Sequence, residues 1–415
     1  MSEFIFLTNQ YLPKPGATGL CVHQLAKALV EKGHSVFTVC YSDGDNIKEY
    51  DGVNVIKINI PSFLKDSQSA SDLNRKYKYC LSLWSKLIHL RQYPLRSNYL
   101  VNQYVEALQK LLQKNQKVTI VASYTPIEAV IATAKVKEKY PKLVRTAYYS
   151  ADTLSNEQGD DGILSASYRS KSGTRWEKKL FKSFDKIFIM ECHKEHYYTN
   201  LYDEFQSKFE LVNFPLLTGE KGTSIINNVK GKKIRLVYAG TLYKKLRNPE
   251  FMNRLLIQVL KSIDAEAIFL GGGDCEDIMH DAEIESNKKI NYIGMQPHSI
   301  AKEQIKSADI LLSIGNIESP MAPSKIYEYM STGKPIIHVY TYDKDPCIEP
   351  LKKYGNALLI KEGEVNGRLK MLEFIKNRRL LSYEEVEGLF RSSTPKYTAD
   401  ILENFGNIEM ECCND

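Results

Sequence analysis

Three positive charges follow a predicted strand in the second half of the chain. The run Val237–Ala239 ends at Gly240-Thr241, and Lys244, Lys245 and Arg247 follow within a few residues. An arginine offers a planar fork to phosphate oxygens and a lysine offers a compact charge. This spacing predicts a cluster that could neutralise a diphosphate at the carboxyl end of a strand. The alternative is a solvated basic loop.

A second segment, Glu318–Ile337, combines a proline-bracketed loop with the start of a helix. Ser324 is predicted to cap that helix, and Lys325 and Glu328 lie in its first turns. A ligand above the helix start would meet free amides and the Ser324 hydroxyl. Glu328 could accept hydrogen bonds from the vicinal hydroxyls of a ribose, as acidic residues do in other nucleotide folds. The alternative is a capped helix with one surface glutamate.

Two glycine-rich loops also follow predicted strands. Gly16 and Gly19 lie between the first strand and the first helix, and Gly271–Gly273 follow a strand that ends at Leu270. Glycine lets a backbone approach a ligand closely, and free amides at a helix start favour anions. The spacing of Gly16 and Gly19 is not the dinucleotide fingerprint. Ligand-binding loops and plain turns both remain open.

Acid–base candidates are few. Asp152 closely follows a strand of the first half, where it could contact an acceptor or serve as a turn residue. We interpret His23 as a surface histidine. His193 and His196 lie three residues apart without a third ligand nearby in the sequence, so no metal site is predicted there. Asp43-Gly44-Asp45 is the nearest match to a metal-binding Asp-x-Asp motif, and we interpret it as a turn.

Apolar strand-like runs alternate with helix-periodic segments along most of the chain, which predicts parallel α/β layers. Val22, Leu25 and Leu29 lie on one face of the first helix. The polar, glycine-containing stretch 219–233 is predicted to be a linker between two such units. Ligands of open parallel sheets bind beyond the carboxyl ends of the strands, so the loops there matter most.

Composition excludes several classes of protein. A length of 415 residues allows two or three domains, and 43% hydrophobic with 26% charged residues is ordinary for a globular protein. The eight cysteines are scattered, which favours reduced thiols. A net charge of +6 is mild and does not indicate nucleic acid as a partner. We expect a cytoplasmic protein, because no leader or run of about 20 apolar residues is apparent.

Segment 74–117 is unusually rich in basic and aromatic residues. It could lie on an anionic membrane surface at the inner face and present a lipid-linked acceptor. An ordinary pair of helices with solvated faces is the alternative.

The run Pro323–Met330, followed by Gly333-Lys334-Pro335, resembles the donor-site signature of retaining GT-B glycosyltransferases of the family 4 type. Further landmarks of that family occur in the same order. They are the Gly16–Gly19 loop, Gly33-His34, Gly240 with its trailing cations, Tyr292-Ile293-Gly294 and Ala308-Asp309-Ile310.

The resemblance implies an α/β fold of two Rossmann-like domains that face each other across a cleft. Residues 1–217 would form the acceptor-side domain, joined by a returning helix in 383–415, and residues 218–382 would bind the nucleotide-sugar. The implied activity is transfer of a hexose from a nucleotide-sugar, with a UDP-sugar expected, to a saccharide or lipid-linked acceptor in surface polysaccharide or glycoconjugate synthesis.

The resemblance also suggests roles for individual residues. Glu328 would bind the ribose, Ser324 and Lys325 would lie by the phosphates, and Gly294 and Met295 would border the base. No metal or other cofactor is implied. The expected donor-binding residues are Gly16, Gly19, Gly240, Thr241, Lys244, Gly272, Met295, Ala322, Ser324, Lys325 and Glu328, and the expected catalytic residues are Asp152, Lys245, Arg247 and Glu318.

The chain departs from the family pattern at two points. Pro320 stands where the family commonly has a second glutamate, and Glu318 is the nearest substitute. Gly240-Thr241-Leu242 replaces Gly-Arg-Leu, so Lys245 or Arg247 must supply the charge. Two other functions therefore stay open, a nucleotide-sugar 2-epimerase and a non-catalytic nucleotide-sugar-binding partner of a transferase.

Overall fold

The computed structural model describes residues 2–13, 15–41, 48–59, 97–112, 117–156, 166–219, 233–317 and 324–407. The chain divides into two compact units. The first consists of residues 1–215 and 395–415, and the second of residues 216–394. Each unit is built on its own mainly parallel sheet.

Among its described residues, the first unit has eight strands in the order β3-β4-β2-β1-β5-β6-β7-β8. Every neighbouring pair is parallel except the antiparallel pair β3–β4. The strands are β1 Glu3–Leu7, β2 Ser35–Cys40, β3 Glu49–Tyr50, β4 Val53–Lys57, β5 Val118–Ser123, β6 Val144–Ser150, β7 Lys186–Met190 and β8 Phe209–Val212.

The α-helices described in this unit are α1 Ala17–Glu31, α2 Asn98–Leu112, α3 Ile127–Lys139, α4 Ala166–Phe181, the short α5 Lys194–Tyr197 and the C-terminal α13 Pro395–Asn407. Helix α1 buries Val22, Leu25 and Leu29, as the sequence periodicity predicted. Burial of such an apolar stripe against a sheet is the main stabilising contribution of a surface helix.

The C-terminal helix returns to the first unit, as predicted, but the return begins at Pro395 rather than at residue 383, because residues 383–394 belong to the second unit. Lys32, just after α1, forms ion pairs with Asp400 and Glu403 of α13 at 2.7 and 2.5 Å. Glu403 also lies 2.9 Å from Nε2 of His34. These charges at the end of α1 fix the position of α13 along the unit.

The described part of the second unit has six parallel strands in the order β11-β10-β9-β12-β13-β14. The strands are β9 Ile234–Ala239, β10 Ala265–Leu270, β11 Ile290–Tyr292, β12 Ile310–Ile314, β13 Ile336–Tyr340 and β14 Ala357–Lys361. The helices are α6 Glu250–Leu260, α7 Glu276–Glu285, α8 His298–Ser307, α9 Lys325–Met330, α10 Ile348–Tyr354, α11 Gly367–Lys376 and α12 Tyr383–Leu389.

The strand β14 and the two-residue strand β3 were not predicted from the sequence. Ala357–Lys361 is a short apolar run with little alternation, and it becomes a strand by pairing with β13. A two-residue strand carries no periodic signal at all. Edge strands of this kind are formed by their neighbours rather than by their own sequence.

In the part of the chain that the structure describes, no helix has the length and apolar character needed to cross a membrane. Five described cysteines, Cys21, Cys40, Cys192, Cys275 and Cys347, are free thiols.

Candidate functional site

The strand order of the second unit reverses direction at β9. The chain runs outward from β9 to β10 and β11, and then returns to place β12 on the other side of β9. Connections that leave in opposite directions open a crevice at the carboxyl ends of the two central strands, where ligands of such sheets bind. The loops after β9 and β12 carry the cations Lys244, Lys245 and Arg247 and the segment that leads into α9.

The loop after β9 lies directly against the glycine run after β10. Leu242 N donates to the Gly272 carbonyl at 2.9 Å, which extends the strand pairing beyond the sheet. A Cβ on Gly271 would lie 1.8 Å from the Gly240 carbonyl oxygen, and one on Gly273 would lie 1.7 Å from that of Leu242. The glycines therefore serve close contact between two backbones, which is more specific than a flexible turn.

Met295 borders the same loops. A Cβ on Gly272 would lie 3.1 Å from the terminal methyl of Met295, whose side chain is 63% exposed. The Tyr292 hydroxyl donates to the Gly271 carbonyl at 2.8 Å, which fixes the chain segment just before Met295. The result is an exposed apolar surface beside the glycine run, which could pack against a flat apolar ring.

Helix α9 is attached to the end of β9. The backbone N–H of Ala239 donates to the phenol oxygen of Tyr329 at 2.7 Å. Tyr329 is buried, and burial raises the pKa of its phenol well above the ordinary value. The neutral hydroxyl therefore holds α9 against the Gly240 loop.

Glu328 and Lys325 form an ion pair at the start of α9, with 2.7 Å between Nζ and Oε2. The Glu328 side chain is 17% exposed, so its carboxylate is largely covered yet reachable from solvent. A carboxylate held in this way can accept hydrogen bonds from neighbouring hydroxyls. The sequence-predicted pair is therefore brought together at the edge of the crevice.

The predicted capping role of Ser324 is wrong. Its hydroxyl makes no capping hydrogen bond, because its backbone has helical dihedral angles (φ −56°, ψ −26°) rather than the extended ones that direct a cap side chain at the next turn. Ser324 still lies at the start of α9.

The three cations of the β9 loop have different surroundings. Lys244 forms an ion pair with Asp277 of α7 at 2.5 Å, and this contact raises the pKa of its amine. Arg247 is held instead by the neutral Asn316, whose Oδ1 accepts from Nε and Nη2 at 3.1 and 2.7 Å. Lys245 is exposed, and no ion pair is found for it or for Arg247 within the described ranges.

Asn316 is a site residue that the sequence analysis missed. It follows β12 by two residues and is 2% exposed. The only available signal was its place in the loop after a strand adjacent to β9, and that adjacency is visible only in the folded sheet.

The first unit has its own polar cluster at the carboxyl ends of β6 and β7. Asp152 follows β6, and its Oδ1 lies 3.7 Å from His193 Nε2 just after β7. Burial raises the Asp152 pKa to about 6, opposed by a hydrogen bond from the Thr153 amide. Burial, followed by the nearby charge of His196, lowers the His193 pKa.

A fully buried carboxylate, that of Glu177, binds the residues that follow Asp152. Glu177 of α4 accepts hydrogen bonds from the Leu154 amide at 2.8 Å and from the hydroxyls of Tyr197 and Tyr202. Ser155 Oγ lies 2.8 Å from His196 Nε2. Asp152 therefore lies beside an ordered group of polar side chains at the carboxyl ends of β6 and β7.

The prediction that His23 is a surface residue is wrong. Its side chain is buried in the first unit, with Nδ1 2.8 Å from the Tyr11 hydroxyl and Nε2 3.1 Å from Asp51 Oδ2. Burial lowers the pKa of this imidazole, and the contact with Asp51 opposes that shift. Helical periodicity placed His23 off the apolar face of α1 and could not show that Tyr11 covers it.

Gly16 and Gly19 also belong to the first unit. Gly16 precedes α1, and a Cβ on Gly19 would lie 1.9 Å from the Gln10 carbonyl oxygen. Gly19 thus lets the loop after β1 contact the first turn of α1.

Among the described residues, His338, Asp345 and Cys347 could offer three ligand atoms to a metal, all within 4.8 Å of one another. All three are buried, and structural zinc is bound by four protein ligands. The group is also joined internally. Asp345 lies 3.4 Å from His338 Nε2 and accepts from the Cys347 amide at 2.7 Å, while His338 Nδ1 lies 2.9 Å from Ser313 Oγ. It is a buried polar network beneath the carboxyl ends of β12 and β13.

Five expectations concern residues outside the described part of the chain. They are the roles of Glu318 and Ala322, the departure at Pro320, the Asp43–Asp45 turn, most of segment 74–117 and nearly all of the linker predicted at 219–233.

No protein-family model and no curated protein matches the sequence. Solved structures are similar over nearly the whole chain. Sucrose-phosphate synthase from Thermosynechococcus elongatus has a TM-score of 0.60 at 12% identity, covering 98% of both chains. The catalytic domain of Arabidopsis thaliana starch synthase IV, bound to ADP and acarbose, has 0.57 at 12%, again covering 98% of each. Anabaena HepE in complex with UDP and glucose has 0.55 at 14%, covering 98% of this chain and 99% of that one.

These are structures of GT-B glycosyltransferases, and the predicted fold class is confirmed. At such identities the similarity establishes the fold alone. The chain has the GT-B fold, with two Rossmann-like units of parallel strands and helices.

Proposed function

We propose that this protein is a glycosyltransferase that transfers a sugar from a nucleotide-sugar to a hydroxyl-bearing acceptor. The observation that carries the proposal is made at the switch point of the second sheet. There the loop after β9 holds Arg247, a cation without a counter-charge in the described residues, and helix α9 holds the covered carboxylate of Glu328. Several proteins of similar fold are described with nucleoside diphosphates bound, among them HepE with UDP and starch synthase IV with ADP.

Each part of a nucleotide-sugar has a suitable partner at this edge. Arg247 and Lys245 would bind the diphosphate, and Glu328 would accept hydrogen bonds from the ribose hydroxyls. The exposed side chain of Met295 would pack against the base. Gly240, Thr241 and Gly272 would let the diphosphate approach the backbone, with Ser324 and Lys325 beside it. Lys244 would contribute less, because Asp277 already neutralises it.

The chemical step needs stabilisation of the leaving group. The bond between the anomeric carbon and the diphosphate oxygen breaks, and its electron pair stays on the diphosphate. The acceptor oxygen bonds to the anomeric carbon, and the proton of the acceptor hydroxyl passes to the departing diphosphate. Positive charge held in place before the reaction favours that transition state. We assign this role to Arg247 and Lys245, and expect no metal to be needed.

We further propose the family 4 type of reaction, in which the anomeric configuration is retained. Asp152 of the first unit would accept a hydrogen bond from the acceptor hydroxyl, while Glu318 would contact the sugar. A hexose on UDP is the expected donor. The expected acceptor is a saccharide or a lipid-linked saccharide of surface polysaccharide synthesis. The enzyme would act in the cytoplasm, or at the inner face of the membrane with segment 74–117 on the lipid surface.

Binding calorimetry tests the donor site first. UDP, GDP and ADP would be titrated into the wild type, into Glu328→Ala and into Glu285→Ala, a control at an exposed position of α7. Glu328→Ala should bind one of the nucleotides about tenfold or more weakly than the wild type, because hydrogen bonds to a charged group are lost. Glu285→Ala should bind it as the wild type does. Absence of nucleotide binding by the wild type would overturn the proposal.

Turnover then separates the three functions. A transferase releases nucleoside diphosphate in proportion to added acceptor. A 2-epimerase converts the nucleotide-sugar or releases sugar without any acceptor, and a non-catalytic partner binds without turnover. Anomeric analysis of the product by NMR tests retention.

A further inference from the structure

We infer that Asn316 is a positioning residue that holds the guanidinium of Arg247 in place without neutralising it, so that the charge is available to a diphosphate. The inference rests on the proposed function and extends it to a residue with no assigned role. It concerns one interaction between the loops that follow β9 and β12.

Asn316 binds the guanidinium through a single oxygen. Arg247 Nε and Nη2 both donate to Asn316 Oδ1, at 3.1 and 2.7 Å. A third nitrogen, Nη1, lies 3.4 Å from the Thr241 carbonyl oxygen. Because Asn316 is 2% exposed, water competes little for these bonds. The guanidinium plane is therefore fixed along one edge.

Backbone contacts fix the two loops as well. Ile317 N donates to the Leu246 carbonyl at 2.7 Å, immediately beside the side-chain contact. The β9 loop closes on itself through Arg247 N, which donates to the Tyr243 carbonyl at 2.7 Å. Arg247 is thus ordered before any ligand arrives, which lowers the entropic cost of binding one.

The buried polar network of His338, Asp345 and Cys347 contacts Gly315, the residue before Asn316. Gly315 N donates to the Val339 carbonyl at 2.8 Å, and a Cβ on Gly315 would lie 2.0 Å from Asp345 Oδ2. Burial tends to raise the Asp345 pKa, but the contact with His338 outweighs it and lowers that pKa. The charged carboxylate of Asp345 therefore packs closely against Gly315, and this contact limits the position of the backbone that leads into Asn316.

The neutrality of the Asn316 side chain is the decisive feature. Two other cations near the crevice are paired with carboxylates, Lys244 with Asp277 and Lys325 with Glu328. Arg247 has no such pair among the described residues and is oriented by an amide instead. A carboxylate in place of that amide would keep the oxygen acceptor but would compete electrostatically with phosphate oxygens.

Asn316→Asp tests this directly, because the two side chains have nearly the same shape. The matched control is Asn287→Asp, which adds the same charge in an exposed turn before β11, at the opposite edge of the sheet. Asn287 has a positive φ of 52°, a conformation that aspartate also tolerates. Calorimetry would compare the binding of UDP and of uridine to each protein, or the diphosphate and nucleoside of whichever base the wild type selects.

We expect Asn316→Asp to lower the affinity for UDP by about tenfold or more relative to the affinity for uridine. A loss of this size is typical when charge-assisted hydrogen bonds are removed. Asn287→Asp should leave the ratio of the two affinities unchanged. Asn316→Ala, which removes the acceptor without adding charge, should weaken UDP less than Asn316→Asp and provides a second test if the aspartate variant does not fold. An unchanged UDP-to-uridine ratio in both Asn316 variants would overturn the inference.

The two proposals fail in different ways. A wild type that binds no nucleotide contradicts the proposed function before Asn316 is tested. A wild type that binds UDP normally, with Asn316 variants that behave like the control, contradicts only the role of Asn316.

Discussion

Tyr329 on α9 holds the last residue of β9, since its phenol oxygen accepts a hydrogen bond from the Ala239 amide at 2.7 Å. The two residues are 90 positions apart in the sequence. Their contact aligns the helix that carries Lys325 and Glu328 with the loop that carries Arg247. The proposed ribose and phosphate contacts therefore share one rigid connection.

Removal of this phenol should destabilise the second unit. In Tyr329→Phe the buried Ala239 amide loses its acceptor, at a cost of about 1–3 kcal/mol in the free energy of unfolding. Urea unfolding followed by circular dichroism measures it, with Tyr99→Phe, a 49% exposed tyrosine of the first unit, as the control. Equal stability of the two variants would show that the Tyr329 bond contributes little.

Two cations of one loop should differ in their effect on nucleotide binding. Arg247→Ala should lower UDP affinity by about tenfold or more, because it removes a charge without a carboxylate partner in the described residues. Lys244→Ala should change it by less than about threefold, since Asp277 already neutralises Lys244 and surface pairs contribute little. Calorimetry at low and moderate salt measures both. A larger loss in Lys244→Ala would reverse the assignment.

Turnover should depend on the protonation of Asp152. Burial raises its pKa to about 6, so the proposed hydrogen-bond acceptor is mostly protonated below that pH. The rate of the wild type should rise up to about pH 6, and Asp152→Asn should be slow without that rise. His193, His196 and Glu177 face the same cluster. The pH profile of His193→Gln therefore shows whether His193 contributes to the pH dependence of the rate. An unchanged profile in Asp152→Asn would exclude Asp152 as its source.

The same shift predicts a change in stability with pH. The folded-state pKa lies above the ordinary value of 3.8, so the folded protein binds the extra proton between the two values. The contribution of Asp152 to stability should therefore be full below pH 3.8 and fall as pH rises to about 6. Chemical unfolding of the wild type and Asp152→Asn at several pH values checks the sign.

Two glycine-to-alanine changes should act in opposite directions. In Gly19→Ala the new Cβ would lie 1.9 Å from the Gln10 carbonyl oxygen, which should destabilise the protein by about 1–3 kcal/mol. Gly388 lies within α12, and a Cβ there would meet nothing within 4 Å, so Gly388→Ala should stabilise by about 0.4–1 kcal/mol. Thermal unfolding compares them. Tolerance of alanine at position 19 would mean that the loop after β1 can move away.

The sequence by itself determined the kind of fold and indicated the segments to which we assign the proposed chemistry. Strand runs and helix periodicity are local properties, so the alternating α/β layers, the strand that ends at Leu270 and the apolar face of α1 were predicted correctly. The stretch from Ser324 to Glu328 was likewise recognisable from its composition and spacing. These features depend on neighbours in the chain, which the sequence contains.

Only the tertiary structure decided which polar groups meet. The order of the strands places β12 beside β9, and this brings Asn316 to Arg247 across 69 residues. Lys244 and Arg247 look alike in the sequence, yet α7 supplies a carboxylate to one of them and not to the other. His23 became buried because Tyr11 covers it. Burial and the pairing of charges arise from contacts between distant segments, so local patterns cannot specify them.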